Sequence, residues 1–156
     1  MTVLPPKAAA SSVTEMTEYV LPQHANIHGS VFGGQIMAWI DLAAAVCAQR
    51  HAGRLCVTAS VDDLVFQRPV RVGQVVLVRA SVTATFRSSM EIEVAVWGED
   101  TLSGDRWPTV ACHTTFVAVA EDGRPAPVPP LLLETEEDKA AHAAAERRRA
   151  ARLAKR

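Results

Sequence analysis

The chain has little excess charge of either sign. Its 16 Lys and Arg stand against 17 Asp and Glu, for a formal net charge of −1, which gives no global electrostatic reason to expect nucleic acid. It is poor in cysteine. Cys47, Cys56 and Cys112 are not spaced as paired metal ligands, and each lies in an apolar segment, so they read as buried thiols in a reducing compartment. His24 and His28 are spaced like ligands, but no cysteine or carboxylate completes a set with them or with His51 and His113, so no metal is expected. The first residues, MTVLPPKAAASS, contain no long apolar core of the signal-peptide kind. The one strongly apolar run is interrupted by Asp41 and is short for a membrane span. The expectation is a cytoplasmic protein with no membrane partner. There is no G-x-S-x-G; Ser103-Gly104 reads as a turn, which argues against a serine hydrolase of the α/β type. No internal repeat is found.

What the chain does have is the stretch NIHGSVFGGQIMAWIDLAAAVCAQR, Asn26 to Arg50. It opens as a polar loop punctuated by Gly29, Gly33 and Gly34, then becomes apolar from Ile36 to Ala48. The apolar residues fall on every face of a helix and not on one stripe, which predicts a helix buried all round, roughly 25 Å long at about 1.5 Å per residue. Asp41 is the one ionisable side chain inside that run. A buried carboxylate costs several kcal/mol unless paired or used, so Asp41 needs a role.

The remaining chain reads as strands. Thr14 to Leu21 is strand-like and ends at Pro22. Gly53 suits a helix terminator. Cys56 to Phe66, Gln74 to Phe86, Met90 to Trp97 and Trp107 to Val119 follow, with Arg87-Ser88-Ser89 a hairpin turn and Leu102 to Asp105 another. The predicted domains are a flexible leader at 1–13, one α+β domain at 14–124, a stiff proline-rich linker at 125–133 and a charged helix at 134–156. In that tail acids precede arginines, the order the helix dipole favours, and it reads as a solvated helix peripheral to any site. A single antiparallel sheet curled around the helix would cover only part of it, which predicts a second subunit over the rest.

Several residues invite chemistry. Gly33-Gly34 ahead of a helix presents free backbone N–H groups at a positive dipole end, able to polarise a carbonyl oxygen; the same pair would also serve close packing against a sheet. Asp41, two turns beyond Gly34 on the same face, is either a functional carboxylate or a core carboxylate satisfied by a donor. Asn26 either holds a water or substrate oxygen or forms a turn. Among the arginines, Arg87 beside Ser88 and Ser89 is the best candidate for a phosphate contact. Cys47 has no histidine on its helical face and reads as a buried thiol.

The run H-A-N-I-H-G-S-V-F-G-G-Q-I-M-A-W-I-D-L-A-A-A resembles the signature of hotdog-fold acyl-CoA thioesterases, in particular the brain acyl-CoA hydrolase group and its bacterial short- and medium-chain relatives. The resemblance extends through Val57 to Phe66, Pro69 to Val76, Arg87 to Val94 and the arginine-rich tail. It implies the hotdog fold, a sheet wrapped around one long central helix. It also implies a homodimer with one continuous sheet, often a trimer of dimers, and hydrolysis of acyl-CoA to a fatty acid and CoA without metal or bound cofactor. By the same resemblance the active-site carboxylate falls on Asp41, as general base or nucleophile. The asparagine falls on Asn26, in the opposite subunit, and the helix-start donor on Gly34. CoA contacts are implied at Gly33, around Thr58, Ala59 and Ser60, and at Arg87, Ser88 and Ser89. Two alternatives stay open: a hydratase or dehydratase on the same fold, using His24 or His28, and a non-catalytic acyl-CoA-binding regulator.

Overall fold

The computed structural model describes residues 3–156. Five strands form one antiparallel sheet: β2 (Thr14–Tyr19), β3 (Cys56–Asp62), β4 (Val75–Thr85), β5 (Ser89–Glu99) and β6 (Arg106–Ala118). Their order across the sheet is β2-β4-β5-β6-β3. The helix α1 (Gly33–Ala52) packs on one face of it. The β4–β5 and β5–β6 pairs are hairpins, as the alternating sequence predicts. Their registers place Val78 opposite Val96, Ala80 opposite Val94 and Val94 opposite Cys112, so alternate residues of neighbouring strands stack on the α1 side. Met90, Ile92, Val94 and Val96 of β5 are all buried there. Burying each such side chain contributes about 1.5–3 kcal/mol.

From α1 the sheet receives Ile36, Ile40, Ala43, Ala44, Cys47, Ala48 and His51, the three-and-four spacing of one helical face. The alanines at 43, 44 and 48 have no exposed surface; small side chains let the helix axis approach the sheet closely. Gly53, at φ 69°, terminates the helix as expected. Lys7 Nζ donates to the carbonyls of Arg50 at 2.9 Å and His51 at 3.0 Å, a cation on the negative end of the helix dipole.

Three points bear on the expectations. First, the sheet of one chain leaves part of α1 uncovered, as a single sheet was expected to. The sheet curls about one side of it, and Gly34, Met37, Ala38, Asp41 and Leu42 are exposed on the other, Met37 by 48% and Leu42 by 53%. Second, the strand expected at Cys56 to Phe66 stops at Asp62, because Asp63 adopts φ 49°, a left-handed conformation that breaks pairing. Third, the ends are tied in. In the leader, expected to be loose, β1 (Lys7–Ala8) pairs in parallel with β7 (Leu131–Leu132) at the end of the linker; residues 1–2 of that leader lie outside the described range. The buried ring of His51 reaches the linker through Nε2, 2.8 Å from the Pro129 carbonyl, and burial lowers its pKa from the ordinary 6.5.

The tail forms α2 (Glu136–Ala154), capped by Thr135, whose Oγ1 accepts from the Asp138 N–H at 3.0 Å. It is not a free solvated helix. Arg148 of α2 makes a bidentate pair with Glu91, Nη2 to Oε1 at 2.7 Å and Nε to Oε2 at 3.1 Å. Thr83 Oγ1 donates to the same carboxylate at 2.7 Å. Glu91 is wholly buried. Burial alone would raise its pKa, but the hydrogen bonds from Arg148 and Thr83 outweigh it and hold the carboxyl below its ordinary value. Arg152 adds a 2.6 Å bond to Asp62. Glu91 sits on β5 between Met90 and Ile92, which face α1, so successive side chains point to opposite faces and α2 covers the side of the sheet that α1 does not.

Candidate active site

The loop before α1 is fixed by its own backbone. Val31 N–H donates to Val70 O at 2.8 Å, and Phe32 N–H to His24 O at 3.0 Å. Within it Asn26 Oδ1 accepts from His28 N–H at 2.9 Å and from Ser30 N–H at 3.3 Å, while its own N–H donates to Ser30 O at 2.8 Å. The side-chain oxygen is thus spent on the loop. The Nδ2 amide group has no partner among the described residues, and that leaves two donors to offer outward. Asn26 also lines a pocket of about 260 Å³ whose apolar wall includes Val31, Ile36, Phe66 and Val70.

Beside it α1 begins. Its first closed hydrogen bonds run from Gln35 and Ile36 to Phe32 O; the Gly33 and Gly34 N–H groups have no partner among the described residues, as the first turn of a helix requires. Both glycines are there for contact. A Cβ on Gly34 would meet the Phe32 ring at 2.8 Å, and one on Gly33 the Phe66 ring at 3.2 Å.

Asp41 accepts a 2.6 Å hydrogen bond from Thr58 Oγ1. Thr58 is on β3 at an irregularity: it opposes Phe116, while Ser60 opposes the adjacent Thr115, and Ala59 is the extra residue of the bulge. Bulges re-aim side chains. Here Thr58 turns to Asp41, while Ala59 and Ser60 line a different hollow. Asp41 is exposed and not buried, so the desolvation argument made from sequence does not apply within one chain.

One chain does not bring these groups together. Ile36, at the Asn26 pocket, and Asp41 are five residues apart, about 140° around the helix. Gly34 and Asp41 share the exposed face but stand about 10 Å apart along the axis.

The residues read as CoA contacts divide. Thr58 belongs with Asp41, and Gly33 with Asn26. Ala59, Ser60, Ser88 and Ser89 meet in a pocket of about 420 Å³, and Arg87 lines a neighbouring hollow that shares Ser88. Sequence reasoning missed Arg149 and Arg152 of α2 and Arg156 just beyond it, which also line the larger pocket; the only signal was the arginine-rich end of the tail. His24 is used locally, its Nδ1 accepting from Leu21 N–H at 3.0 Å and its ring packed edge-on against Trp39. The thiols of Cys47, Cys112 and the half-buried Cys56 are pushed up to about 11, chiefly by burial, which leaves none poised as a nucleophile.

A helix on a curled antiparallel sheet, with a carboxylate two turns into that helix and free N–H groups at its start, defines a class that comparison identifies. The sequence profile of the Thioesterase superfamily matches residues 28–104. A Bacillus subtilis protein described as an uncharacterized acyl-CoA thioester hydrolase is 39% identical over 122 residues, covering 78% of this chain and 71% of that protein. The chain belongs to the hotdog-fold thioesterase superfamily. The acetyl-coenzyme A thioesterase of mouse is 38% identical over 138 residues, 88% of this chain, yet the chain spans only 25% of that protein's length. Among solved structures, an acyl-CoA hydrolase from Bacillus cereus superposes with a TM-score of 0.91 at 37% identity, covering 96% of this chain and 92% of that one. An acyl-CoA hydrolase from Staphylococcus aureus, in complex with butyryl coenzyme A, coenzyme A and coenzyme A disulfide, has a TM-score of 0.86 at 34% identity, covering 97% and 94%. A hexameric acyl-CoA thioesterase reaches 0.93 at 38% identity, covering 97% of both chains.

Proposed function

We propose that this protein hydrolyses acyl-CoA thioesters to a free fatty acid and CoA, at a site assembled from two copies of the chain. The observation that carries this reading is the 2.6 Å Thr58–Asp41 hydrogen bond, which orients a carboxylate on the uncovered face of α1. The S. aureus hydrolase has been crystallised as three variants with an aspartate, an asparagine or a threonine replaced by alanine. The spacing between those three positions is that of Asn26, Asp41 and Thr58 here, which supports their assignment as a working set.

In the proposed site one chain supplies Asn26 and the Gly34 N–H, and the other supplies Asp41. The thioester carbonyl oxygen sits at the Gly34 N–H and the dipole end of α1, which stabilise negative charge as the carbonyl carbon is attacked. Asn26 donates from Nδ2 to hold water or substrate. Asp41 either takes the proton from the attacking water or attacks the carbon itself. In both routes the C–S bond breaks, the CoA sulfur leaves and regains a proton, and water supplies the oxygen of the acid. Nothing in this sequence calls for a metal or a cofactor beyond the CoA of the substrate. Gly33, Thr58, Ala59, Ser60, Arg87, Ser88 and Ser89 are the proposed CoA side of the site, with Thr58 acting through Asp41.

The second copy has a surface to meet. Phe32 just before α1 and Met37 and Leu42 on it, with Leu55, Val57 and Val61 on and beside β3, are exposed apolar side chains, and β3 is an edge strand. Unpaired edges and contiguous apolar patches invite association. We infer a homodimer through this face with a continuous sheet, and a trimer of such dimers; two of the solved relatives are described as hexameric. Among the described residues no helix is long and apolar enough to cross a membrane, and the reading keeps the protein in the cytoplasm, free of membrane and nucleic acid. A hydratase reading would need a histidine facing the substrate, whereas His24 is engaged by Leu21 and Trp39.

Thiol release from acyl-CoAs of graded chain length tests the activity. Asp41→Asn should lower turnover by about 10²- to 10⁴-fold, the usual size of a general-base contribution, with assembly unchanged. Near-full activity in that variant would make Asp41 a structural carboxylate.

A further inference from the structure

We propose that the ion pair between Arg152 of α2 and Asp62 of β3 anchors the short arm that follows β3, and through Phe66 on that arm positions the start of α1. Arg152 and Asp62 are then positioning residues for the reaction. This rests on the acyl-CoA reading above and gives the C-terminal helix a part that the sequence made peripheral. Arg152 Nη1 donates to Asp62 Oδ2 at 2.6 Å, and the two side chains are only 22% and 20% exposed, which shelters the pair from the screening that weakens most surface pairs. The pair lies on the α2 side of the sheet, while Thr58 of the same strand turns to Asp41 on the α1 side.

The pair stands where the chain turns. Asp62 is the last residue of β3, and Asp63 follows it at φ 49°, among the described residues the only non-glycine with a positive φ. That conformation is unfavourable for a residue with a side chain and persists where its surroundings enforce it. Beyond it, Leu64 to Phe66 make no main-chain hydrogen bond among the described residues; the next one runs from Gln67 N–H to Thr109 O at 2.9 Å. Between these two ends the arm is held by side chains alone. Leu64 packs partly against the core, Val65 is 65% exposed and Phe66 is 45% exposed.

What the arm delivers is Phe66. Its ring lies where a Cβ on Gly33 would come within 3.2 Å, and with Asn26, Gly33 and Ile36 it lines the pocket beside the start of α1. A shift of the arm therefore moves a wall of that pocket, next to the free N–H groups of Gly33 and Gly34. Arg152 can resist the shift because α2 is fixed independently, by the bidentate pair of Arg148 with Glu91. Arg152 itself is also 3.6 Å from Glu91, so one guanidinium ties the end of β3 to the centre of the sheet. A displacement of about 1 Å caused far from the chemistry can cost about 10²-fold in rate, and a site holds its geometry only as well as the groups behind it do.

The test combines acyl-CoA hydrolysis with amide hydrogen exchange on the full chain. The variants are Asp62→Asn, Arg152→Gln, Phe66→Ala, the double Asp62→Asn/Arg152→Gln and the double Arg152→Gln/Phe66→Ala. Asp62→Asn and Arg152→Gln should each lower kcat by roughly 10-fold while KM stays within about twofold, and the two together should be no worse than either alone. Arg152→Gln should add little on top of Phe66→Ala, because residues that act through one another are not additive. The amides of Leu64 to Phe66 should exchange faster in both single variants, with those of β4 and β5 unchanged. An unchanged kcat in Asp62→Asn would overturn the proposal, as would losses that multiply in Arg152→Gln/Phe66→Ala. Faster exchange throughout the sheet would make the pair a general stabiliser and overturn it too. A rise in KM for Arg152→Gln that Asp62→Asn does not share would make Arg152 a ligand contact instead. Wild type that releases no thiol from acyl-CoA would sink the thioesterase reading; exchange at Leu64 to Phe66 still tests the anchor in that case, and no change there in Asp62→Asn would refute it.

Discussion

Replacing Arg148 with alanine isolates the contact that ties the tail to the sheet. The Glu91 side chain is 0% exposed and that of Arg148 is 30% exposed. Breaking a buried pair by removing one partner destabilises by about 3–5 kcal/mol, because the remaining charge stays in low dielectric without compensation. Two features favour the lower end. Arg148 is partly in water, and Arg152 remains 3.6 Å from the same carboxylate. A loss of about 3 kcal/mol, in a chain of this size, corresponds to a fall in melting temperature of about 6–12 °C. Urea unfolding, monitored together with oligomeric state, reads the change directly. Adding Glu91→Gln removes the stranded charge while keeping an acceptor for the Thr83 hydroxyl, so the double variant should recover more than half of the loss. A destabilisation below about 1 kcal/mol, the size of an exposed surface pair, would refute the reasoning, as would a double variant no more stable than Arg148→Ala.

Stability should also fall with acid in two stages. His51 has a folded pKa below its ordinary value, so the unfolded chain takes up a proton first and stability drops as pH falls below about 6.5. Glu91 is likewise held below its ordinary 4.5, so its contribution is present at neutral pH and is lost as pH falls from there towards its folded value; His51→Gln should abolish the first stage alone in melts taken across pH. Gly98→Ala should destabilise by about 1–3 kcal/mol through overpacking, since a Cβ there would come within 2.5 Å of the Trp107 ring; an unchanged urea midpoint would show that the tryptophan swings aside at no cost.

Much of this was legible in the sequence because its signals are local. Alternation in Gln74 to Phe86 and Met90 to Trp97 marks β4 and β5, the Gly53 terminator marks the end of α1, and the acid-to-base order of the tail marks α2. The candidate site residues were suggested only by the motif around Asn26, Gly34 and Asp41, through its likeness to a known family. What was hidden depends on long-range placement. Glu91 reads as an outward residue of an alternating strand, and it is one, but nothing local says that α2 will cover it and deliver Arg148. That one sheet leaves a side of α1 uncovered was expected, but nothing local says that Asp41 lies on that side. The extra residue Ala59 separates the roles of Thr58 and Ser60, and a bulge leaves no mark in composition. The turn at Asp63 likewise ends β3 earlier than its apolar pattern suggests.

The central claim is that Asn26 and Asp41 act across a subunit boundary, and refolding two inactive variants together tests it most directly. Asn26→Ala and Asp41→Asn are each expected to be severely impaired alone. Unfolded, mixed in equal amounts and refolded, half of the dimers should be hybrid. Each hybrid has one site with both defects and one with neither, so thiol release from acyl-CoA should return to about a quarter of the wild-type rate. A mixture that assembles into dimers and stays inactive would mean that both residues work within one chain, and the proposed site would be wrong.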